Sequence, residues 1–133
     1  MDDVSPGDVS PLLDSLNTAQ REAVSHPQGN LLVLAGAGSG KTRVLVHRIA
    51  WLMQVEGLSP YAILAVTFTN KAAREMRTRL EALLGLSLRN MWVGTFHSIA
   101  HRLLRTHWHD ARLPQHFQII DGDDQLRLVK RLL

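Results

Sequence analysis

Hydrophobic positions change their period several times along the chain, and each change marks an element. Leu31-Leu32-Val33-Leu34-Ala35 shows no polar alternation, as expected of a strand covered on both faces, and it runs directly into a glycine-rich stretch. From Lys41 the spacing turns helical. Val44, Leu45, Ile49, Leu52 and Met53 fall on one face, and Gly57 and Pro60 close the segment. Ile63 to Phe68 reads as a second buried strand, followed by an amphipathic helix marked by Ala72, Ala73, Met76, Leu80, Leu83 and Leu84. Gly85 stands where a helix end favours a left-handed residue, with Leu86 placed to cover that end. Met91 to Gly94 reads as a third strand, and Phe96, Ile99, Ala100, Leu103, Leu104 and Trp108 trace another helical stripe. Strands alternating with helices of this length predict an α/β fold, with a parallel sheet joined by crossovers and flanked by helices.

The two ends read differently. Residues 1–15 are turn-rich and acidic, so they are expected to be a mobile leader until Leu12-Leu13 docks, and dispensable for chemistry. Asn17-Thr18-Ala19-Gln20 opens a short helix to about Ser25, which Pro27 stops because proline lacks the N–H of the next turn. Near the other end, Phe117 to Ile120 is a short apolar segment. From Asp121 a helix begins whose apolar series, Leu126, Val129, Leu132 and Leu133, is still running at the last residue. The missing helix terminus leads to the expectation that the chain is part of something longer. By pattern alone, only a leader over 1–15 is expected to stand apart from the rest.

Composition narrows the picture only slightly. A chain of 133 residues with 45% hydrophobic content can bury one core. Its apolar runs are far shorter than the roughly 18 residues of a membrane span, and there is no basic start followed by an apolar stretch, so a cytoplasmic location without membrane attachment is the default expectation. The absence of cysteine excludes disulfides and thiolate metal sites. Charge is uneven: residues 41–110 hold ten basic against four acidic residues, while residues 1–40 hold one against five. Lys71, Arg74, Arg77 and Arg79 lie on one helix, but interleaving with Glu75 and Glu81 favours a solvated face over a phosphate-binding one.

The strongest chemical signal is Ala35-Gly36-Ala37-Gly38-Ser39-Gly40-Lys41-Thr42, between a predicted strand and the start of a helix. Small residues let the backbone curl so that successive N–H groups converge on an anion, and the helix adds its positive N-terminal end. Lys41 is expected to reach the β and γ phosphates of ATP, and the Thr42 hydroxyl to bind Mg2+. The first position of the general pattern is Ala35 rather than glycine. Upstream, Gln20 carries an amide that matches adenine N6–H and N7, yet Asn17 and Gln20 also form the pattern of a capping box; both readings stand. His97 and His101 have a spacing that would suit a metal, but no acidic partner of the His-Glu-x-x-His kind accompanies them. His107 and His109 are expected to face solvent.

Taken together, Leu16 to Gln20, Ala35 to Thr42, Thr67-Phe68-Thr69-Asn70-Lys71-Ala72-Ala73 and Gly94-Thr95-Phe96-His97-Ser98 resemble four consecutive motifs of the UvrD/Rep/PcrA helicases, in the same order and spacing. The resemblance runs from Leu12 to the end. It implies an incomplete P-loop NTPase fold of the RecA-like kind, with the N-terminal part of an ATP-binding domain over 16–95 and the truncated start of a helical insertion subdomain over 96–133. It further implies that Gln20 reads adenine and that Arg43 lies against the ring, with a plain exposed place in the helix's first turn the competing reading of Arg43. Thr67, Phe68, Thr69, Asn70 and Lys71 would form one segment touching single-stranded DNA, with Phe68 as plain core the competing reading; Thr95, Phe96, His97 and Ser98 would form a second. The parent is implied to be a 3′-to-5′ ATP-dependent DNA helicase serving excision and mismatch repair, with single strands or their junctions with duplex, the rest of the helicase chain and repair proteins as partners.

Hydrolysis needs a carboxylate for magnesium, another for water, and arginines to meet developing charge. Ile119-Ile120-Asp121 mimics the first of these, but Asp121 and Asp124 fit a helix N-cap and its partner three residues on. The Asp-Glu pair, the motor arginines and a second RecA-like domain are absent from the sequence, and the chain alone is expected to be inactive. Two other readings compete: a free-standing nucleotide-binding or regulatory module, and a small P-loop kinase, which would need a basic lid that residues 60–130 do not offer.

Overall fold

The computed structural model describes residues 8–38 and 40–133, which fall into two compact units, one ending at Thr95 and the other beginning at Phe96. In the first unit, α1 (Ser10–Leu13) and α2 (Thr18–Ser25) precede α3 (Lys41–Gln54). A single 3-10 turn over Pro60–Ala62 leads into β1 (Leu64–Thr67), α4 (Asn70–Leu84) and β2 (Trp92–Thr95). β1 and β2 pair in parallel, with Leu64 opposite Trp92 and Thr67 opposite Thr95. Parallel strands need a crossover, and α4 supplies it.

The core lies where α1, α3, α4 and the sheet meet: Leu12, Val46, Ile49, Ala50, Ile63, Ala65, Met76, Leu80, Leu88 and Met91. α4 buries Ala73, Met76 and Leu80 in the expected register and ends at left-handed Gly85 (φ 66°), whose N–H returns to the Glu81 carbonyl. Residues 1–7 of the expected leader lie outside the described residues; α1 falls in the rest of it, where Leu12, expected to dock, is buried and its carbonyl accepts a 2.7 Å bond from Nδ1 of buried His47 on α3. A carbonyl can only accept, so this contact places the His47 proton on Nδ1.

Several expectations are corrected. Leu31–Ala35 is not a strand, and the described sheet has two strands rather than three; Leu32 and Leu34 are 82% and 86% exposed. Hydropathy reports that a segment suits burial, but a strand also needs a neighbour for its N–H and C=O groups, and β1 pairs only with β2 among the described residues. β1 is covered on one side only: Ala65 is buried while Leu64 is exposed. On α3 the buried face is Val46, His47, Ile49 and Ala50, rotated from the predicted one. This helix is apolar around most of its circumference, so spacing alone did not choose between its faces.

The expected solvated face of α4 is also interrupted. Arg77 is half-buried and its guanidinium donates to the carbonyls of Leu88, Arg89, Met91 and Val93, while Glu81 accepts from the Leu88 N–H at 3.1 Å. The loop entering β2 is thereby tied to the crossover helix. Lys71 and Glu75 form only an exposed pair at 3.9 Å, a contact of small energetic weight.

In the second unit, α5 (Phe96–Thr106) and α6 (Gly122–Leu132) are separated by turns in which Arg112 adopts a positive φ of 57°. Phe117 packs on α5 through the guanidinium of Arg105, 4.3 Å from its ring centre, and edge-on to His101. Asp121 caps α6, its carboxylate accepting from the Asp124 N–H at 2.7 Å, as the spacing implied. Leu126, Val129 and Leu132 on α6 are exposed. No helix among the described residues is long and apolar enough to cross a membrane.

These burial differences set a direct comparison. Leu80→Ala is expected to cost about 3 kcal/mol through loss of packing and a residual cavity, whereas Leu34→Ser should stay within about 0.5 kcal/mol. Urea unfolding of the two variants checks this; a comparable loss for Leu34→Ser would mean that Leu31–Ala35 is buried in solution.

Candidate nucleotide-binding and DNA-contacting site

α3 starts without a side-chain cap. Its N-cap is Gly40 in the left-handed region (φ 83°), and the preceding bend uses a second left-handed glycine, Gly38 (φ 74°). Both conformations suit glycine because a Cβ would crowd the following carbonyl. The first N–H groups of a helix have no partner within it, and Val44 is the first α3 residue whose N–H returns to the preceding turn, at Gly40. Lys41 and Thr42 are the first two residues of this helix, and both are exposed. Ser39 lies outside the described residues.

Beside the loop opens a cleft of about 910 Å³, whose lining includes Gln20, Ala35, Gly36 and the α3 residues Lys41, Val44, Leu45, Arg48 and Leu52. These α3 positions recur at helical spacing and form one stripe. It is made mostly of the residues predicted to face the core. The charged groups lining the cleft are Lys41 and Arg48, with no carboxylate among the described lining residues, so its electrostatic preference is for an anion.

α2 brings Gln20 to the loop. The capping box is formed: Asn17 Oδ1 accepts from the Gln20 N–H at 2.9 Å, and Gln20 Oε1 accepts from the Asn17 N–H at 3.0 Å. Gln20 Nε2 meanwhile lies 2.9 Å from where a Cβ on Gly40 would sit. One side chain thus closes the start of α2 and touches the start of α3. Arg43 is exposed and reaches the Ser15 carbonyl at 3.4 Å.

The second group of predicted residues begins at the ends of β1 and β2, where Thr67 and Thr95 are paired in register. Phe68 is 93% exposed, which removes the reading of it as core. Thr67 Oγ1 donates to the Thr69 carbonyl at 3.0 Å, and Thr69 Oγ1 accepts from the Ala72 N–H at 3.1 Å, making Thr69 the N-cap of α4. Asn70 and Lys71 are exposed in the first turn of that helix. Phe96, His97 and Ser98 form the exposed first turn of α5, in the second unit.

Sequence reasoning passed over the groups that hold these elements in place. Arg48 donates to the carbonyls of Val24 (2.8 Å), His26 and Pro27 (3.5 Å), satisfying the end of α2. Arg21 gathers the carbonyls of Leu13, Leu16 and Asp14 between α1 and α2. A usable signal existed for Arg48, since it stands seven residues beyond Lys41 and hence on the same helix face.

A parallel strand pair crossed over by a helix, with a glycine bend leading into an uncapped helix that begins Lys-Thr, defines a mixed α/β protein. Comparison with known proteins makes this specific: residues 16–133 match the UvrD/REP helicase N-terminal domain, and the chain belongs to that family. It is 73% identical over 126 residues to DNA helicase II of Escherichia coli, covering 95% of this chain and 18% of that protein. It is 65% identical to DNA helicase II of Haemophilus influenzae, with the same coverage, and 51% identical over 122 residues to ATP-dependent DNA helicase PcrA of Bacillus subtilis, covering 92% of this chain and 16% of that protein. The chain therefore spans less than a fifth of the length of these relatives.

The contact between Gln20 and Gly40 is open to a double-mutant cycle. Gly40→Ala should cost about 1–2 kcal/mol from the left-handed backbone, plus the displacement of Gln20. The second part should vanish in a Gln20→Ala background, giving a coupling of about 0.5 kcal/mol or more in thermal unfolding. Strict additivity would show that the two groups do not touch.

Proposed function

We propose that this chain is the nucleotide-binding and single-strand-contacting N-terminal part of a 3′-to-5′ ATP-dependent DNA helicase that acts in cytoplasmic DNA repair. The observation that carries this reading is the start of α3: Lys41 and Thr42 follow left-handed Gly40 at an uncapped helix N-terminus, beside a cleft whose charged lining is cationic. The relatives named DNA helicase II and ATP-dependent DNA helicase PcrA support the same assignment.

In this reading the amides from Gly36 through Thr42 hold the triphosphate, with the α3 dipole favouring the same charge. Lys41 pairs with the β and γ phosphates, and the Thr42 hydroxyl is the protein ligand for Mg2+, which neutralises phosphate charge when bound. Gln20 reads the adenine edge. An amide oxygen accepts two hydrogen bonds, so its bond from Asn17 is compatible with another from N6–H, while Nε2 donates to N7. Arg43 stacks on the ring with its planar guanidinium. Exposed Phe68 offers a face on which a base can stack, and Thr67, Thr69, Asn70 and Lys71 offer donors to phosphate. Thr95, Phe96, His97 and Ser98 form the second DNA-contacting segment. With Asp121 occupied in capping α6, the chain has no assigned carboxylate to hold magnesium or orient water, so it binds ATP without turning it over. Duplex unwinding and contacts with excision and mismatch repair proteins belong to the complete helicase.

Calorimetry with magnesium-ATP is expected to show weak binding that Lys41→Ala abolishes; equal affinity in both proteins would remove the phosphate-cradle reading. Fluorescence anisotropy with a single-stranded oligonucleotide should show weak binding that falls as salt rises and is reduced by Lys71→Ala. Binding indifferent to salt would contradict phosphate contact.

A further inference from the structure

α2 is held by polar contacts at both ends and also in its middle, where Arg21 gathers the carbonyls of Leu13, Asp14 and Leu16. At its start, the Gln20 side chain closes the capping box and lies against Gly40. At its finish the backbone turns extended at His26 (ψ 138°) instead of making a left-handed cap, which leaves terminal carbonyls to be satisfied from outside the helix. Arg48 does this, donating to Val24, His26 and Pro27. An eight-residue helix is marginal alone, and within α2 only Val24 is buried, so its position depends on these fixings. Arg48 lies on the same stripe of α3 as Lys41.

We infer that Arg48 is a positioning residue for base recognition: by pinning the end of α2 to the helix that carries Lys41, it holds Gln20 at the phosphate loop. Its guanidinium acts through α2 and Gln20 rather than on the nucleotide. Removing it releases the far end of α2, and the Gln20 amide loses its fixed distance from Gly40. The triphosphate contacts stay in place, because Lys41, Thr42 and the loop belong to α3 and its N-terminal approach. Adenine preference should therefore fall beyond any change in phosphate affinity. This rests on Gln20 reading the base.

The test measures binding of magnesium-ATP, magnesium-GTP and inorganic tripolyphosphate to the full chain and to Arg48→Met and Arg48→Lys, with thermal unfolding followed in parallel. Arg48→Met removes one of the two cations lining the cleft, so all three ligands should bind more weakly, and the preference for ATP over GTP is expected to fall by about tenfold besides, the equivalent of one well-placed hydrogen bond to the base. Arg48→Lys keeps the charge but lacks the fork that gathers several carbonyls, and should lose part of that preference. Unchanged preference in whichever variant folds overturns the inference, as does an equal loss for all three ligands, which would mark Arg48 as a general structural residue. A wild-type chain that binds ATP and GTP equally, yet still binds tripolyphosphate, refutes the base-reading role of Gln20 and this inference with it, leaving the phosphate cradle intact.

Discussion

The N-terminus of α3 carries no side-chain cap, while the rest of the helix is held firmly. A side-chain cap there would satisfy the first amides and stabilise the helix by about 1 kcal/mol, but it would compete with any anion for the same groups. Gly40 starts the helix without one. Compensation comes from further along α3, where Val46, Ile49 and Ala50 enter the core, His47 holds the Leu12 carbonyl, and Arg48 holds the end of α2. Burial of a Val or Ile side chain contributes roughly 1.5–3 kcal/mol, so the buried face outweighs an uncapped start. Strong packing below and an uncapped start above are two aspects of one helix.

Around that helix, arginine serves as a collector of backbone carbonyls. Arg21 gathers those between α1 and α2, Arg48 those ending α2, and Arg77 those of the loop entering β2. Each site is a place where the chain leaves a helix or enters a strand. A guanidinium suits this because it offers five donors in a fixed plane and stays charged. The positive charge of the middle of the chain is thus partly structural, and it is a poor measure of affinity for phosphate.

The exposed apolar groups fall into distinct sets. Leu32, Leu34 and Leu64 belong to the first unit; Leu126, Val129 and Leu132 lie on α6 of the second. Phe68 differs, standing at the end of a strand in a turn that continues straight into a capped helix. Its exposure is held by local hydrogen bonds at Thr67 and Thr69, which gives it a defined place on the surface.

Local chemistry was readable from the residues alone. The limits of α2, the capping box at Asn17 and Gln20, the left-handed end at Gly85, the cap at Asp121 and the buried register of α4 each depend on groups a few residues apart, and short-range sterics and hydrogen bonding determine them. The glycine bend and its Lys-Thr continuation, together with the motif order, were enough to point to the helicase family. Tertiary structure decided what depends on distant partners: whether Leu31–Ala35 finds a neighbouring strand, which side of an almost wholly apolar α3 meets the core, and which arginines face carbonyls rather than water. Hydropathy measures a preference for burial, but a ladder, a packed face or a guanidinium clamp exists only when a second segment arrives with matching groups.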